Sequence, residues 1–246
     1  MTIIDTHMHL GMSKFSGHRT TVETLNQYME RYGITHGMVM PQPTLDNIAL
    51  IHDEIYQLTQ HHSGRFYGMA SIDPWLSEQE YEQEFRRCIE TYQFVAVKLH
   101  PHGHNISPLA SQCHKVYELA DQFHVPVIIH TGLGSLNALP SLVIEPARTF
   151  PNVTFVLGHA GFAVFTSEAI VAAKTCENIV LEPSWCPTFS VQSMVNEVGI
   201  DRIIYGSDHV ENIPVELAKY HSVLTDKQLE AVFSANPQRI FHLDLR

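Results

Sequence analysis

Short apolar runs rich in Val, Ile and Met alternate along the chain with stretches whose apolar residues recur at helical spacing. The runs at 1–9, 34–40, 65–72, 94–100, 125–130, 153–158, 178–183 and 202–207 predict strands. Between them, 20–32 carries Val22, Leu25, Met29 and Tyr32 on one helical face, 47–62 carries Ile48, Ile51, Ile55 and Leu58, and 77–92 carries Tyr81, Phe85, Cys88 and Tyr92. Thr20 with Glu23 and Ser77 with Glu80 have capping-box spacing, Asn47 can cap the second helix, and Gly33 can stop the first. Further helices are predicted at 108–124, with Pro108 at its first turn behind Ser107, and at 139–150, 167–176, 190–198, 225–233 and 235–241. Strand and helix in strict alternation imply a parallel sheet with helical crossovers, and about eight such units close into a (β/α)8 TIM barrel. An open doubly wound sheet is the competing α/β arrangement, but it usually has fewer strands and a Gly-rich first turn, whereas this first turn is His-rich. The 246 residues suit one barrel domain spanning 1–246.

Charge narrows the partners. With 26 acidic against 15 basic residues and a formal net charge of −11, the chain would repel nucleic acid, and no basic patch offsets this. A small-molecule substrate is the expected partner. Cys88, Cys113, Cys176 and Cys186 form no C-x-x-C pair and read as reduced thiols. No apolar run approaches a membrane span, and the first residues lack the basic head and apolar stretch of a signal peptide, so a cytoplasmic location is expected.

The chemistry is written at the strand ends. His7 and His9, at i and i+2 in the first strand, share one face, where two neutral imidazoles could grip a divalent transition metal. In a barrel the C-terminal strand ends gather at one rim, where active sites sit. That rim would collect His7, His9, Lys98, His100, His130, His159 and Asp208. Each is a metal ligand, a proton carrier or, for Lys98, a ligand once modified.

These residues carry a resemblance. Asp5-Thr6-His7-Met8-His9, Val97-Lys98-Leu99-His100-Pro101, Ile129-His130-Thr131-Gly132, Gly158-His159-Ala160-Gly161, Gly206-Ser207-Asp208 and Asn236-Pro237-Gln238-Arg239-Ile240-Phe241 together resemble the amidohydrolase superfamily. The likeness is to its small single-domain, metal-dependent branch, which contains hydrolases and non-oxidative decarboxylases. It implies that His7, His9, His130 and Asp208 bind a divalent ion, zinc foremost and Mn2+, Fe2+ or Ni2+ as alternatives, around a water that Asp208 deprotonates. A homodimer is the assembly the resemblance allows.

Several roles stay open. Beside one ion His159 would polarise a carbonyl or carry a proton; with two ions it would be a ligand to the second. Lys98 would bridge two ions if carboxylated, as in binuclear relatives, or else pair with Asp5, Glu182 or a substrate carboxylate. In His100-Pro101-His102-Gly103-His104 only His100 is expected near the substrate. Asp5 could orient a ligand or lie lower as a structural charge; Glu182 could face the rim or serve its loop. Arg19, Trp75 and Trp185 are loop candidates for substrate contact, by carboxylate pairing or ring stacking. Asn236 is expected to cap the last helix and Arg239 to pair with a carboxylate. The functions these features support are hydrolysis of a small amide, lactone or ester, decarboxylation or hydration of a small unsaturated acid, and a metal-binding barrel without catalysis. An intact ligand set disfavours the last.

Overall fold

The sheet runs in the order β2-β1-β3-β4-β5-β6-β7-β8, with β1 Ile4–Met12, β2 Arg19–Thr20, β3 His36–Pro41, β4 Phe66–Ser71, β5 Ala96–Leu99, β6 Val127–His130, β7 Phe155–Gly158 and β8 Ile179–Glu182. All pairings from β1·β3 to β7·β8 are parallel; β2 alone is antiparallel, folding back on the end of β1. This computed structural model describes residues 1–62 and 64–245. The predicted eighth strand, 202–207, forms no regular strand of its own. It runs between β8 and β1 and closes the barrel through bridges Leu181↔Ile203 and Met8↔Asp208, with Thr6 N–H donating to Tyr205 O at 3.1 Å and Asp208 N–H to His7 O at 2.7 Å. The result is the expected TIM barrel.

The helices are α1 Val22–Tyr32, α2 Ile48–His61, α3 Glu78–Arg86, α4 Pro101–His104, α5 Ser111–Phe123, α6 Ile144–Thr149, α7 Thr166–Thr175, α8 Thr188–Val198, α9 Ile213–Val223, α10 Asp226–Glu230 and α11 Asn236–Ile240. Among the described residues no helix is long and apolar enough to cross a membrane. Ser77 and Glu80 form the predicted capping box, and Asn47 caps α2. Three expectations shift. Thr21 rather than Thr20 caps α1, its side chain accepting from Thr24 N–H. The helix expected from Pro108 begins at Ser111, because Ala110 N–H instead closes a turn onto Ser107 O. And α9 lies where no helix was predicted.

Alternation within the strands builds the interior in rows. Ala96, Ile128, Val156, Val180 and Ile204 point inward with Ile4, Met38, Met40 and Met69, and Ile240, Phe241 and Leu243 pack against them from the chain's end. Two residues further along their strands, the same face carries Lys98, His130 and Glu182. The apolar floor and the polar mouth are therefore one face of one sheet, read at different heights.

A candidate metal centre at the barrel mouth

In β1 strict alternation would send Ile4 and His7 to opposite faces. The pairing with β3 instead slips between Asp5 and Met8, where three steps in β1 match two in β3. This bulge turns both Ile4 and His7 inward. Asp5 holds it: one carboxylate oxygen, Oδ1, accepts the N–H of His7 at 3.1 Å and of Ser207 at 3.0 Å, tying the bulge to the closing segment. Burial pushes its pKa up to about 7. Asp5 thus positions a ligand's backbone rather than its imidazole.

The imidazoles are anchored from behind. His7 Nδ1–H donates to Glu182 Oε2 at 2.7 Å, His9 Nδ1–H to Pro41 O at 3.0 Å, and His159 Nδ1–H to Ser184 Oγ at 2.7 Å. Ser184 Oγ–H in turn donates to Glu182 Oε2 at 3.0 Å, and its N–H donates to Glu182 Oε1 at 2.7 Å. Glu182 is the hub of this network, buried so completely that its pKa rises to about 7. Burial lowers the pKa of His7, His9 and His159, leaving neutral rings with Nε2 lone pairs free of the outward bonds.

Those lone pairs turn toward Asp208. Ligand atoms of His7, His159 and Asp208 all lie within 4.8 Å of one another, and His9 Nε2 is 3.1 Å from Asp208 Oδ1. Burial works to raise the Asp208 carboxyl, but His159, His9 and His7 outweigh it: a proton entering the cluster goes to an imidazole before the carboxylate, and Asp208 is held well below the usual carboxylate range. Asp208 (φ 64°) and His159 (φ 67°) both sit in the left-handed region that non-glycine residues avoid. Two residues where ordinary strand geometry is given up in this way mark a site where side-chain direction outweighs backbone comfort.

Lys98, 1% exposed, lies directly beneath, with Nζ 3.0 Å from His7 Nε2. It pairs with neither Asp5 nor Glu182; its charge faces an imidazole lone pair, and burial lowers its pKa to about 8. His130 stands outside the tightest group. Its Nε2–H donates to Leu133 O at 3.2 Å, and its ring stacks on His100 at 4.3 Å and meets His159 edge-on at 4.8 Å.

A cavity of about 330 Å3 opens above, lined by His9, His100, His102, His130, His159, Asp208 and His209, with Phe15 and Leu133 at its lips. His100 lines it as expected; His102 does so as well, its ring stacked on Phe15 at 4.3 Å. Trp185 reaches the centre from one side, Nε1–H donating to Asp208 Oδ2 at 2.8 Å. Arg19 and Trp75 do not line the cavity. Arg19 is exposed on β2, its backbone paired with Met12, and the Trp75 indole is tied to His104 O at 2.9 Å. Asn236 caps nothing: its side-chain amide donates to Ile200 O and Ile203 O, each at 2.8 Å. Arg239 bonds the Asp201 carbonyl, not a carboxylate.

Sequence reasoning missed Ser184, whose only signal was its place two residues after Glu182. It also missed Gln42, buried against the cavity with an amide nitrogen that makes no hydrogen bond.

Solved structures share this architecture. An uncharacterised TIM-barrel protein from Bordetella bronchiseptica superposes with a TM-score of 0.77 at 16% identity, covering 98% of this chain and 99% of that one. A protein from Pseudomonas putida assigned as a 2-pyrone-4,6-dicarboxylic acid hydrolase gives 0.76 at 13% identity, covering 100% and 99%. A 5-carboxyvanillate decarboxylase from Novosphingobium aromaticivorans, solved with manganese and 4-hydroxy-3-methoxy-5-nitrobenzoic acid, gives 0.75 at 14%, covering 98% and 96%. At such identities the likeness speaks for the fold. No curated protein matches the chain. The family model described as amidohydrolase, however, matches residues 4–243, from the first residue of β1 to just past α11. The chain therefore belongs to the amidohydrolase family.

Proposed function

We propose that this chain is a metal-dependent hydrolase that directs water at the carbonyl carbon of a small amide, lactone or ester. The outward anchoring of three imidazoles carries the reading. Metal-ligating histidines characteristically donate their second ring N–H to a carboxylate, hydroxyl or backbone carbonyl, as His7, His159 and His9 do here. A set of neutral nitrogens with one carboxylate suits zinc, and equally manganese, iron or nickel. His7, His9, His159 and Asp208 would hold the ion; His130, and Lys98 as its carbamate, would join them if two ions bind. When bound, such an ion supplies Lewis acidity that polarises a carbonyl and brings the pKa of water toward neutrality.

The protein's own groups do the rest. Trp185 fixes Asp208 Oδ2, which leaves Oδ1 to take the proton of the attacking water and return it to the leaving group. His100 Nδ1 accepts the N–H of Gly103 at 2.8 Å, so the neutral ring carries its proton on Nε2 and can donate into the cavity. Gln42 offers a second donor. No arginine or lysine is among the described residues lining the cavity, which favours a neutral carbonyl compound over a dicarboxylate. Four free, buried thiols accord with a cytoplasmic setting.

Decarboxylation of a small unsaturated acid is the second reading, supported by the manganese-containing decarboxylase that shares the fold. Metal content of protein purified without chelators, followed by assays of lactones and amides alongside CO2 release from aromatic acids, separates the two. Asp208→Asn should keep the fold, since Asn tolerates the left-handed backbone, and lose activity by roughly a hundred- to ten-thousandfold. Near-full turnover in that variant, or protein that takes up none of zinc, manganese, iron and nickel, would overturn the proposal.

A further inference from the structure

A second group of ligand atoms stands at the lip of the same barrel, away from His7 and His159. His18, His209 and Glu211 each offer one donor atom, and the three lie within 4.8 Å of one another. His18 Nε2 is 3.4 Å from Glu211 Oε1. It is shielded from solvent and makes no hydrogen bond. The His18 and His209 rings meet edge-on with centroids 5.8 Å apart.

The two backbone segments that present these side chains are fixed. Ser13 N–H donates to His18 O at 2.8 Å, just before the pairing of Met12 with Arg19. On the other side His209 N–H donates to Ser207 O at 2.8 Å and Asn212 N–H to His209 O at 2.9 Å, which places Glu211 on a tight turn directly after His209. Donor atoms around a tetrahedral zinc stand about 3.3 Å apart, given bond lengths of about 2.0–2.1 Å. The His18–Glu211 separation already matches. Rotation of the His209 ring, 31% exposed, would bring in the third donor.

We propose that His18, His209 and Glu211 form a separate site for a divalent first-row cation at the barrel lip. Two imidazoles and one carboxylate suit such an ion and leave further coordination positions open to water. The ion would join the turn of the β1–β2 hairpin to the turn after the barrel-closing segment. Because His209 also lines the cavity, the open positions would face the substrate's path of entry. The site shares no ligand with the inner centre, but it adjoins it: His209 follows Asp208 in the chain and its Nε2 lies 3.6 Å from Asp208 Oδ2, a contact that rotation of the His209 ring would give up.

The test is equilibrium dialysis against Zn2+ with elemental analysis of the full chain. Four forms are compared: the unaltered protein, His18→Asn/Glu211→Gln, His7→Asn/His159→Asn, and the variant carrying all four substitutions. Adventitious zinc on other surface histidines contributes equally to all four. We expect the lip variant to bind one equivalent fewer than the unaltered protein. The inner variant should retain one equivalent that disappears when the lip substitutions are added. A lip variant that binds as many equivalents with the same affinity overturns the site, as does an inner variant with no equivalent sensitive to the lip substitutions. Failure of the inner centre would read differently, as an unchanged count in the inner variant.

Discussion

Trp185 Nε1–H donates to Asp208 Oδ2 at 2.8 Å, so the carboxylate that faces the Nε2 side of His9, His7 and His159 is steered by an indole from a neighbouring loop. Both partners hold left-handed backbone, each at φ 64°. Such a bond restricts Asp208 to one rotamer with Oδ1 toward His9. Outer partners of metal ligands typically change affinity ten- to a hundredfold. Trp185→Phe should therefore weaken Zn2+ binding at the inner centre about tenfold in competition dialysis. Its melting temperature should barely move, because the side chain is 43% exposed. An unchanged dissociation constant would remove Trp185 from the centre.

Gly206 lies on the closing segment against the His7–Glu182 pair. A Cβ there would come 2.7 Å from His7 Cβ and 2.8 Å from the Glu182 carboxyl carbon. Neither neighbour can yield cheaply, because His7 Cβ is fixed by the bulge and Glu182 by Ser184 and His7. Gly206→Ala should cost about 1–3 kcal/mol of stability through overpacking, read by urea unfolding of metal-free protein. It should lower zinc affinity as well. A variant as stable as the unaltered chain would show that the pair moves apart freely.

Much of this was legible in the sequence, and the exceptions have physical causes. Period-two alternation put Lys98 inside the barrel, and strand endings named His7, His9, His130, His159 and Asp208 as rim residues. Alternation could not reveal the bulge at Asp5, because the slip shows only in the pairing with β3. Nor could it orient His159, adjacent to the inward-facing Gly158 and turned by a left-handed backbone. Arg19 and Trp75 follow strand ends in sequence, yet local pairing leads them away from the cavity. Helix α9 was invisible for another reason: its buried stripe is Ile213, Glu216, Lys219 and Tyr220. Two charges sit where an apolar periodicity is sought.

Away from the mouth, Glu84 gathers a polar cluster. It accepts from His52 Nδ1 at 2.6 Å and from Arg87 Nε at 2.8 Å. Burial works to raise its pKa, but the bonds from His52 and Arg87 prevail and bring it down to about 2. A carboxyl whose folded pKa lies below its unfolded value stabilises the protein above the unfolded pKa and loses that contribution as pH falls through the folded one. Glu84→Gln should thus cost about 1–2 kcal/mol at pH 7, allowing for partial exposure. The difference should shrink as pH drops from the ordinary glutamate range toward about 2. Denaturant titrations of both proteins at stepped pH would show it; a gap independent of pH would assign the loss to packing alone.

The buried charges of α9 make the sharpest case for a structure supporting its own site. Lys219 Nζ contacts Glu216 Oε2 and donates to Pro183 O at 2.8 Å and Cys186 O at 3.0 Å. Glu216 Oε1 accepts the N–H of Trp185 at 2.8 Å and the side-chain amide of Asn212 at 3.0 Å. One helix thereby fixes both ends of the loop after β8, including the indole that steers Asp208. Lys219→Met leaves Glu216 as a buried charge without its cation, which costs about 3–5 kcal/mol. Adding Glu216→Gln to that variant removes the uncompensated charge while keeping an oxygen for Trp185 N–H. The double variant should regain a large part of the stability lost by Lys219→Met, and its zinc affinity should return with it, as measured by urea unfolding and competition dialysis. If the double variant is no more stable than the single, the lysine's two carbonyl bonds, rather than its charge, hold the loop.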